Sequence, residues 1–300
     1  MEIRTIAILS PGDMGHAIGA VLHRHGLRVI TSLRGRSART QALAKTAGMQ
    51  DVPDDETLVR EADILLSIMP PASAYTFGER IASTLLHVKT ELLFVDCNAI
   101  APRTALALDQ LLTEAGAGFV DAGIIGGPPR PDEEGPHIYV SGTRAADVAC
   151  LSEHGLDVRV VGAQSGQASG LKMCYASVTK GLTALATEAL TAGRALGLQD
   201  TLINELQDLP AFRSIKRSVP GMPPKAYRWV GEMQEIARTF VDLGLPSQML
   251  EGAAALYQFV ESTELGLEKP EQRQRGQTLE EVTEILANAL QKQRKPEQDN

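Results

Sequence analysis

Three hundred residues with 29 Lys and Arg against 37 Asp and Glu carry a net charge of −8, which opposes non-specific attraction to nucleic-acid backbones and anionic membrane surfaces. Apolar residues make up 43% of the chain and aromatic ones only 4%, so the core is expected to be Ala, Leu, Val and Ile, without base-stacking platforms. The three cysteines are scattered and the six histidines form no HExxH pattern, so neither a disulfide framework nor a metal site is expected.

The length exceeds that of a usual single domain and predicts two. Met1 is followed almost at once by a strand-like apolar run, with no basic segment, longer apolar stretch and cleavage site. A cytoplasmic protein with no signal peptide and no membrane span is expected.

Residues 3–9 read as a short buried strand, followed by a glycine-containing turn and a helical pattern from about Met14 to His25. Gly26 ends that helix, and a second strand over 27–32 completes a βαβ unit within about thirty residues. Further strands are predicted near 64–69, 92–96, 119–122, 138–141 and 158–161, alternating with helices near 38–47, 72–86 and 103–115. Such alternation predicts an α/β protein whose N-terminal part is a Rossmann-type, doubly wound, mostly parallel sheet.

Beyond Gly162 nothing reads as a strand, and Ala/Leu-rich helical segments are interrupted at Pro210, Pro220, Pro223, Pro224 and Pro246. The predicted division is a dinucleotide-binding domain over 1–164 and an all-α domain over 165–300. The first helix of the second part, 167–196, is expected to run roughly 45 Å. Leu171, Tyr175, Val178, Leu182, Leu185 and Ala189 recur at helical spacing and predict its buried face. The polar tail 291–300 is expected to be disordered.

The turn after the first strand, Ser10-Pro11-Gly12-Asp13-Met14-Gly15, matches the second and third glycines of GxGxxG and has serine at the first. Gly12 would let the backbone approach a pyrophosphate, Gly15 would let helix and strand pack closely, and the helix N-terminus at Asp13 and Met14 would supply N–H groups. At the end of the second strand an NAD-binding protein presents a carboxylate to the ribose. Here stand Ser32, Arg34, Arg36 and Ser37, which suit a 2′-phosphate. NADP is the expected cofactor.

Four further runs follow SPGDMG in order: Ser67-Ile68-Met69-Pro70-Pro71, Asp96-Cys97-Asn98-Ala99, the segment Asp121 to Gly127 (DAGIIGG) and the segment Gly166 to Lys172 (GQASGLK). With them the chain resembles the superfamily of 6-phosphogluconate and 3-hydroxyisobutyrate dehydrogenases. The match covers about the first 175 residues, and the C-terminal half is similar to the helical domain of bacterial phosphogluconate-dehydrogenase-like proteins. The resemblance implies that Pro70 and Asn98 lie beside the ribose and nicotinamide. It also implies that Gly123, Ile125, Gly126 and Gly127 line the substrate, that Gly126 and Gly127 offer backbone donors to an oxyanion, and that Lys172 is catalytic. A partly desolvated lysine has the lowered pKa that general acid/base work needs. Lys180 is the reserve candidate. A homodimer through the long helix is a further implication.

Two departures bear on substrate. Where the hydroxyacid enzymes carry a hydroxyl residue before the Gly-Gly pair and an asparagine one turn after the lysine, this chain has Ile125 and Ala176. A larger or more apolar substrate is expected. The residues therefore predict an NADP-dependent oxidoreductase acting on a hydroxy or carbonyl compound. Imine reduction and NADP(H) sensing without turnover are the alternatives. The basic run Arg213, Lys216, Arg217, Lys225 and Arg228 reads either as a binding face for an acidic group or as a solvated surface.

Overall fold

The computed structural model describes residues 3–130, 133–269 and 272–294. Strand β1 (Thr5–Leu9) is buried along its whole length because its alternating side chains enter two different cores. Ile6 and Ile8 join Ile18, Val21 and Leu22 of helix α1 (Asp13–Arg24) on one face, while Ala7 and Leu9 join Phe77, Ile81 and Leu85 on the other. This is why the strand reads as a continuous apolar run rather than an alternating one.

The remaining strands are β2 (Arg28–Thr31), β3 (Gln50–Asp51), β4 (Ile64–Ser67), β5 (Leu93–Asp96), β6 (Gly118–Ile125), β7 (His137–Ser141) and β8 (Asp157–Gly162). They form one eight-stranded sheet in the order β3-β2-β1-β4-β5-β6-β7-β8. Every neighbouring pair is parallel except β6–β7. Helices α2 (Ala38–Thr46), α3 (Asp55–Glu61), α4 (Pro71–Val88), α5 (Pro102–Glu114) and α6 (Ala145–Ala149) lie between strands in the chain. The predicted α/β class with a doubly wound, mostly parallel sheet is the one observed.

The chain divides into two compact units between Met173 and Cys174. Helix α7 (Gln167–Ala195) begins in the first and runs on into the second. The second continues with α8 (Gln199–Leu206), α9 (Phe212–Gly221), α10 (Ala226–Asp242), α11 (Gln248–Ser262) and α12 (Leu279–Arg294), and contains no strand among its described residues. Its buried residues include Met233, Ile236, Tyr257, Val260, Val282 and Leu286. Among the described residues no helix is long and apolar enough to cross a membrane.

Two expectations are corrected. Along α7 the apolar stripe is exposed: Leu171, Tyr175, Val178 and Leu185 are 39%, 50%, 68% and 60% accessible. The buried side is instead Met173, Ala176, Thr183, Thr187 and Leu190. Threonine fits inside because its hydroxyl bonds a carbonyl one turn back, as Thr183 does to Thr179 at 2.8 Å and Thr187 to Thr183 at 2.7 Å. Residues 291–294, expected to belong to a disordered tail, are helical. Leu279, Val282, Leu286 and Ala287 are buried at helical spacing, and the helix they anchor carries on to Arg294. The rest of the expected tail, 295–300, lies outside the described residues.

Candidate active site

The β1–α1 turn sits where β1 has β2 on one side and β4 on the other, the switch point at which open α/β sheets take ligands. A Cβ on Gly15 would lie 2.6 Å from the Ser10 carbonyl oxygen, so the fold itself requires glycine there. A Cβ on Gly12 would meet no protein atom within 4 Å. Packing within the protein makes no such demand at Gly12. No side-chain hydrogen bond caps α1 at Gly12. The Asp13 carboxylate is paired with Arg39 at 2.5 Å.

Beyond β2, the Leu33 N–H donates to Asp51 Oδ1 at 2.9 Å and ties the loop to β3. Ser37 caps α2 by accepting from the Thr40 N–H at 3.2 Å. Ser32, Arg34 and Arg36 line a cavity of about 710 Å³, together with Asp54, Asp55 and Arg80. The carboxylates of its wall are engaged elsewhere. Asp55 pairs with Arg80 at 2.6 Å, Glu56 pairs with Arg60 at 2.6 Å, and Asp54 caps α3 through the Thr57 N–H at 2.8 Å. That last bond is the main reason the Asp54 carboxyl lies below its ordinary pKa, with Arg34 assisting. Among the described residues neither Arg34 nor Arg36 is in an ion pair, so two guanidiniums are left facing the cavity.

Strands β4, β5 and β6 carry Ser67, Asp96 and Asp121 as register partners, all fully buried. Asn98 braces the first two. Its amide donates to Ser67 Oγ at 2.8 Å and to Asp96 Oδ2 at 2.7 Å, and its backbone N–H to Asp96 Oδ1 at 3.0 Å. Its Oδ1 accepts from the Met69 N–H at 2.6 Å, which shapes the turn through Pro70 into α4. Burial pushes the Asp96 carboxyl up to about 7 against the Asn98 hydrogen bonds, with Asp121 adding to the rise and Lys172 opposing it.

Asp121 anchors the start of α7. Its Oδ2 accepts from the N–H groups of Gly166 and Ser169, each at 2.9 Å, and from Ser141 Oγ at 3.0 Å. Ser169 Oγ donates to Oδ1 at 2.5 Å, and Ser141 Oγ accepts from the Ala168 N–H at 2.9 Å. Burial raises the Asp121 pKa and these donors work against it. A carboxylate here also meets the positive end of the helix dipole. The anchored turn delivers Lys172 onto β6: a Cβ on Gly123 would lie 3.1 Å from Lys172 Cβ and 2.8 Å from the Ala168 carbonyl oxygen. Gly123 thus lets the helix rest on the strand, with the Lys172 charge within reach of Asp96.

The sequence model of the NAD-binding domain of 6-phosphogluconate dehydrogenase matches residues 5–156. The chain belongs to this family. The 6-phosphogluconate dehydrogenase-type domain is followed by a match over residues 194–260 to a domain of unknown function (DUF1932). An uncharacterized 28.5 kDa protein of Methanothermus fervidus is 28% identical over 238 residues, spanning 78% of this chain and 90% of that protein. The conserved protein MTH1747, of unknown function and described as structurally similar to 3-hydroxyacid dehydrogenases, is 28% identical with a TM-score of 0.65, covering 88% of this chain and 98% of that one. The fold is shared with a 3-hydroxyisobutyrate dehydrogenase of Mycobacterium tuberculosis solved with L-serine, at 16% identity and TM-score 0.69, over 96% of this chain and 99% of that one.

Within this 6-phosphogluconate dehydrogenase-type domain the expected residues fall into three groups. Gly12, Asp13, Met14 and Gly15 form the β1 turn, Ser32, Arg34 and Arg36 line the cavity, and Pro70, Asn98, Gly123 and Ile125 lie at or near the ends of β4, β5 and β6. Gly126, at φ 128°, packs its Cα against Pro136, so that a Cβ there would lie 2.9 Å from the proline Cα, whereas a Cβ on Gly127 would meet nothing within 4 Å. Pro131 and Asp132, in the Gly127 to Pro136 loop, lie outside the described residues. Ala176 is buried one turn beyond Lys172 on α7. Lys180 is closely paired with Glu232 and lies 5.5 Å over the Trp229 ring, which removes it as a reserve acid. Sequence reasoning gave no role to Asp96, Asp121, Ser141 or Ser169. The available signal was a carboxylate inside each of two apolar strands, LFVD and FVDAGII, because a buried charge needs partners.

Proposed function

We propose that this protein is an NADP-dependent oxidoreductase acting on a hydroxy or carbonyl compound, with Lys172 as general acid/base. The observation that carries this reading is the seating of Lys172 on Gly123 by a helix start that Asp121 holds through three hydrogen bonds, with a fourth from Ser141 on β7. Bound NADP would supply or accept the hydride. In the reducing direction the Lys172 ammonium gives its proton to the carbonyl oxygen as hydride reaches the carbon. In the oxidising direction the neutral amine takes that proton back.

The residues present fit the cofactor. Gly12 leaves room for a pyrophosphate, the uncapped α1 start offers N–H donors, and Arg34 and Arg36 offer guanidiniums to a 2′-phosphate. Replacing Lys172 with Ala should leave NADPH binding intact and lower kcat about 10²- to 10⁴-fold. Undiminished turnover would overturn the assignment. Imine reduction is the second reading, favoured by the apolar side chains of Ile125 and Ala176, and assays with cyclic imines and carbonyl compounds separate the two. NADPH binding without turnover on either panel would point to a sensor. The exposed Tyr175, Val178 and Leu185 suit pairing with a second copy of the chain, and the three free cysteines suit a reducing cytoplasm.

A further inference from the structure

The sheet face that carries Lys172 does not end at β6. Across the antiparallel pair, Gly123 stands opposite Tyr139 and Ile125 opposite His137. Across the parallel pair, His137 stands beside Asp157 and Tyr139 beside Arg159. Register partners share a face, and contacts between them agree: Ser141 donates to Asp121, His137 meets Asp157 at 2.7 Å, and the Arg159 guanidinium lies 5.9 Å over the Tyr139 ring. The opposite face is the apolar one, where Ile124, Ile138 and Val140 enter the core. Lys172 therefore has a polar patch on β7 and β8 as its neighbour.

The two ring nitrogens of His137 stand in different environments. Asp157 is ionised, because Arg159 grips it with Nε at 2.8 Å from Oδ1 and a terminal nitrogen at 2.7 Å from Oδ2, the first of the causes that hold its carboxyl below the ordinary range. An ionised carboxylate only accepts, so His137 Nδ1 carries a hydrogen and donates it. Nε2 makes no hydrogen bond among the described residues, and the side chain is 37% accessible. A carboxylate that fixes the tautomer and leaves the second nitrogen outward is how working histidines are oriented. Two residues along a strand, about 7 Å, and one strand across, about 5 Å, separate the Gly123 level from His137. That separation, about 9 Å between backbone positions, is covered by the Lys172 side chain and a small substrate together. Ile125 offers no polar side-chain atom at this level of the sheet, and its register partner does.

We infer that His137 is a specificity-determining residue of the Lys172 site. Its Nε2, which keeps a lone pair because Nδ1 carries the hydrogen, accepts a hydrogen bond from a hydroxyl or amino group of the substrate at the Ile125 end of β6, and Asp157 and Arg159 are its positioning residues. The inference rests on the reading of Lys172 as acid/base. The test compares wild type, His137→Leu, His137→Gln, Asp157→Asn and Lys172→Ala, with NADPH and three probes that carry a hydroxyl donor besides the carbonyl: hydroxyacetone, 3-hydroxypropanal and 4-hydroxy-2-butanone. His137→Leu should raise KM for a turned-over probe about tenfold, with kcat and the NADPH KM little changed. His137→Gln, which keeps a polar atom, should recover most of that loss, and Asp157→Asn should fall between.

Wild-type probe KM in His137→Leu overturns the inference. Wild-type kcat in Lys172→Ala overturns the reading beneath it. If the wild type turns over none of the probes, histidine-labelled protein decides the matter. The His137 ring resonance, assigned by its loss in His137→Gln, must move when one of the probes is added to the NADP-bound protein, and a resonance unmoved by all three overturns the inference.

Discussion

A carboxyl group enclosed between strands is costly unless its lone pairs are taken, and Asp96 and Asp121 meet that cost differently. Asp96 has Asn98 as its donor and a pKa of about 7, so the folded protein keeps a proton that the unfolded chain releases near pH 4. Below about pH 4 both states are protonated, and as pH rises to about 7 this group subtracts progressively from stability, then no further. Asp96→Asn should remove that slope, so the difference in urea midpoint between variant and wild type should change between about pH 4 and 7 and be flat above. A difference that stays constant across the window contradicts the assignment. Asp121 instead receives four donors, and Asp121→Asn turns one acceptor into a donor facing other donors. A loss of about 2–4 kcal/mol is expected by urea unfolding. Neither role was legible from composition or period. The placement of Gly12 and Gly15 in the β1–α1 turn, of Lys172 near the start of α7 and of the two arginines beyond β2 was legible, because ordered motifs and a βαβ context mark those positions, whereas a bracing aspartate is recognised only once its strand is seen to be buried on both faces.

At the level of elements, period identified what apolar side chains define and missed what polar ones define. Strands β1, β2 and β4 to β8 stand out as apolar runs. β3 is two exposed residues and α3 is DETLVRE, too polar to show a stripe, although Asp54 three residues before Thr57 is an N-cap signal. On α7 the same reliance on apolar spacing picked the wrong face, because Thr183 and Thr187 satisfy their own hydroxyls and go inside. The exposed stripe then becomes informative. If it binds a second copy, Tyr175→Lys combined with Val178→Lys should shift sedimentation from dimer to monomer while leaving the melting temperature of the monomeric fold near that of the parent, since both side chains are at least half exposed. A dimer that survives both lysines places the pairing surface elsewhere.

For the molecule as a whole, an overall charge of −8 surrounds a cavity lined by three arginines and three carboxylates, of which Arg34 and Arg36 are in no ion pair among the described residues. On the proposed NADP reading, attraction of a 2′-phosphate to Arg34 and Arg36 is local and open to screening. Raising ionic strength from about 0.01 M to 1 M shortens the screening length from about 30 Å to 3 Å, so the NADPH KM should climb more steeply than the NADH KM. In Arg34→Ala combined with Arg36→Ala the two cofactors should respond alike. Equal salt slopes in the wild type would exclude these arginines as phosphate ligands.

The sheet also has an outer end. β8 is its last strand, with Val160 and Val161 52% and 39% accessible, and a strand of this kind offers free backbone groups and apolar side chains to any extended segment in solution. The Arg159–Asp157 clasp and the register shift between β7 and β8 break up the flat edge that fibril growth favours. Substitution of Asp157 or Arg159, which brace His137, is therefore expected to raise the turbidity of concentrated protein, as light scattering would show.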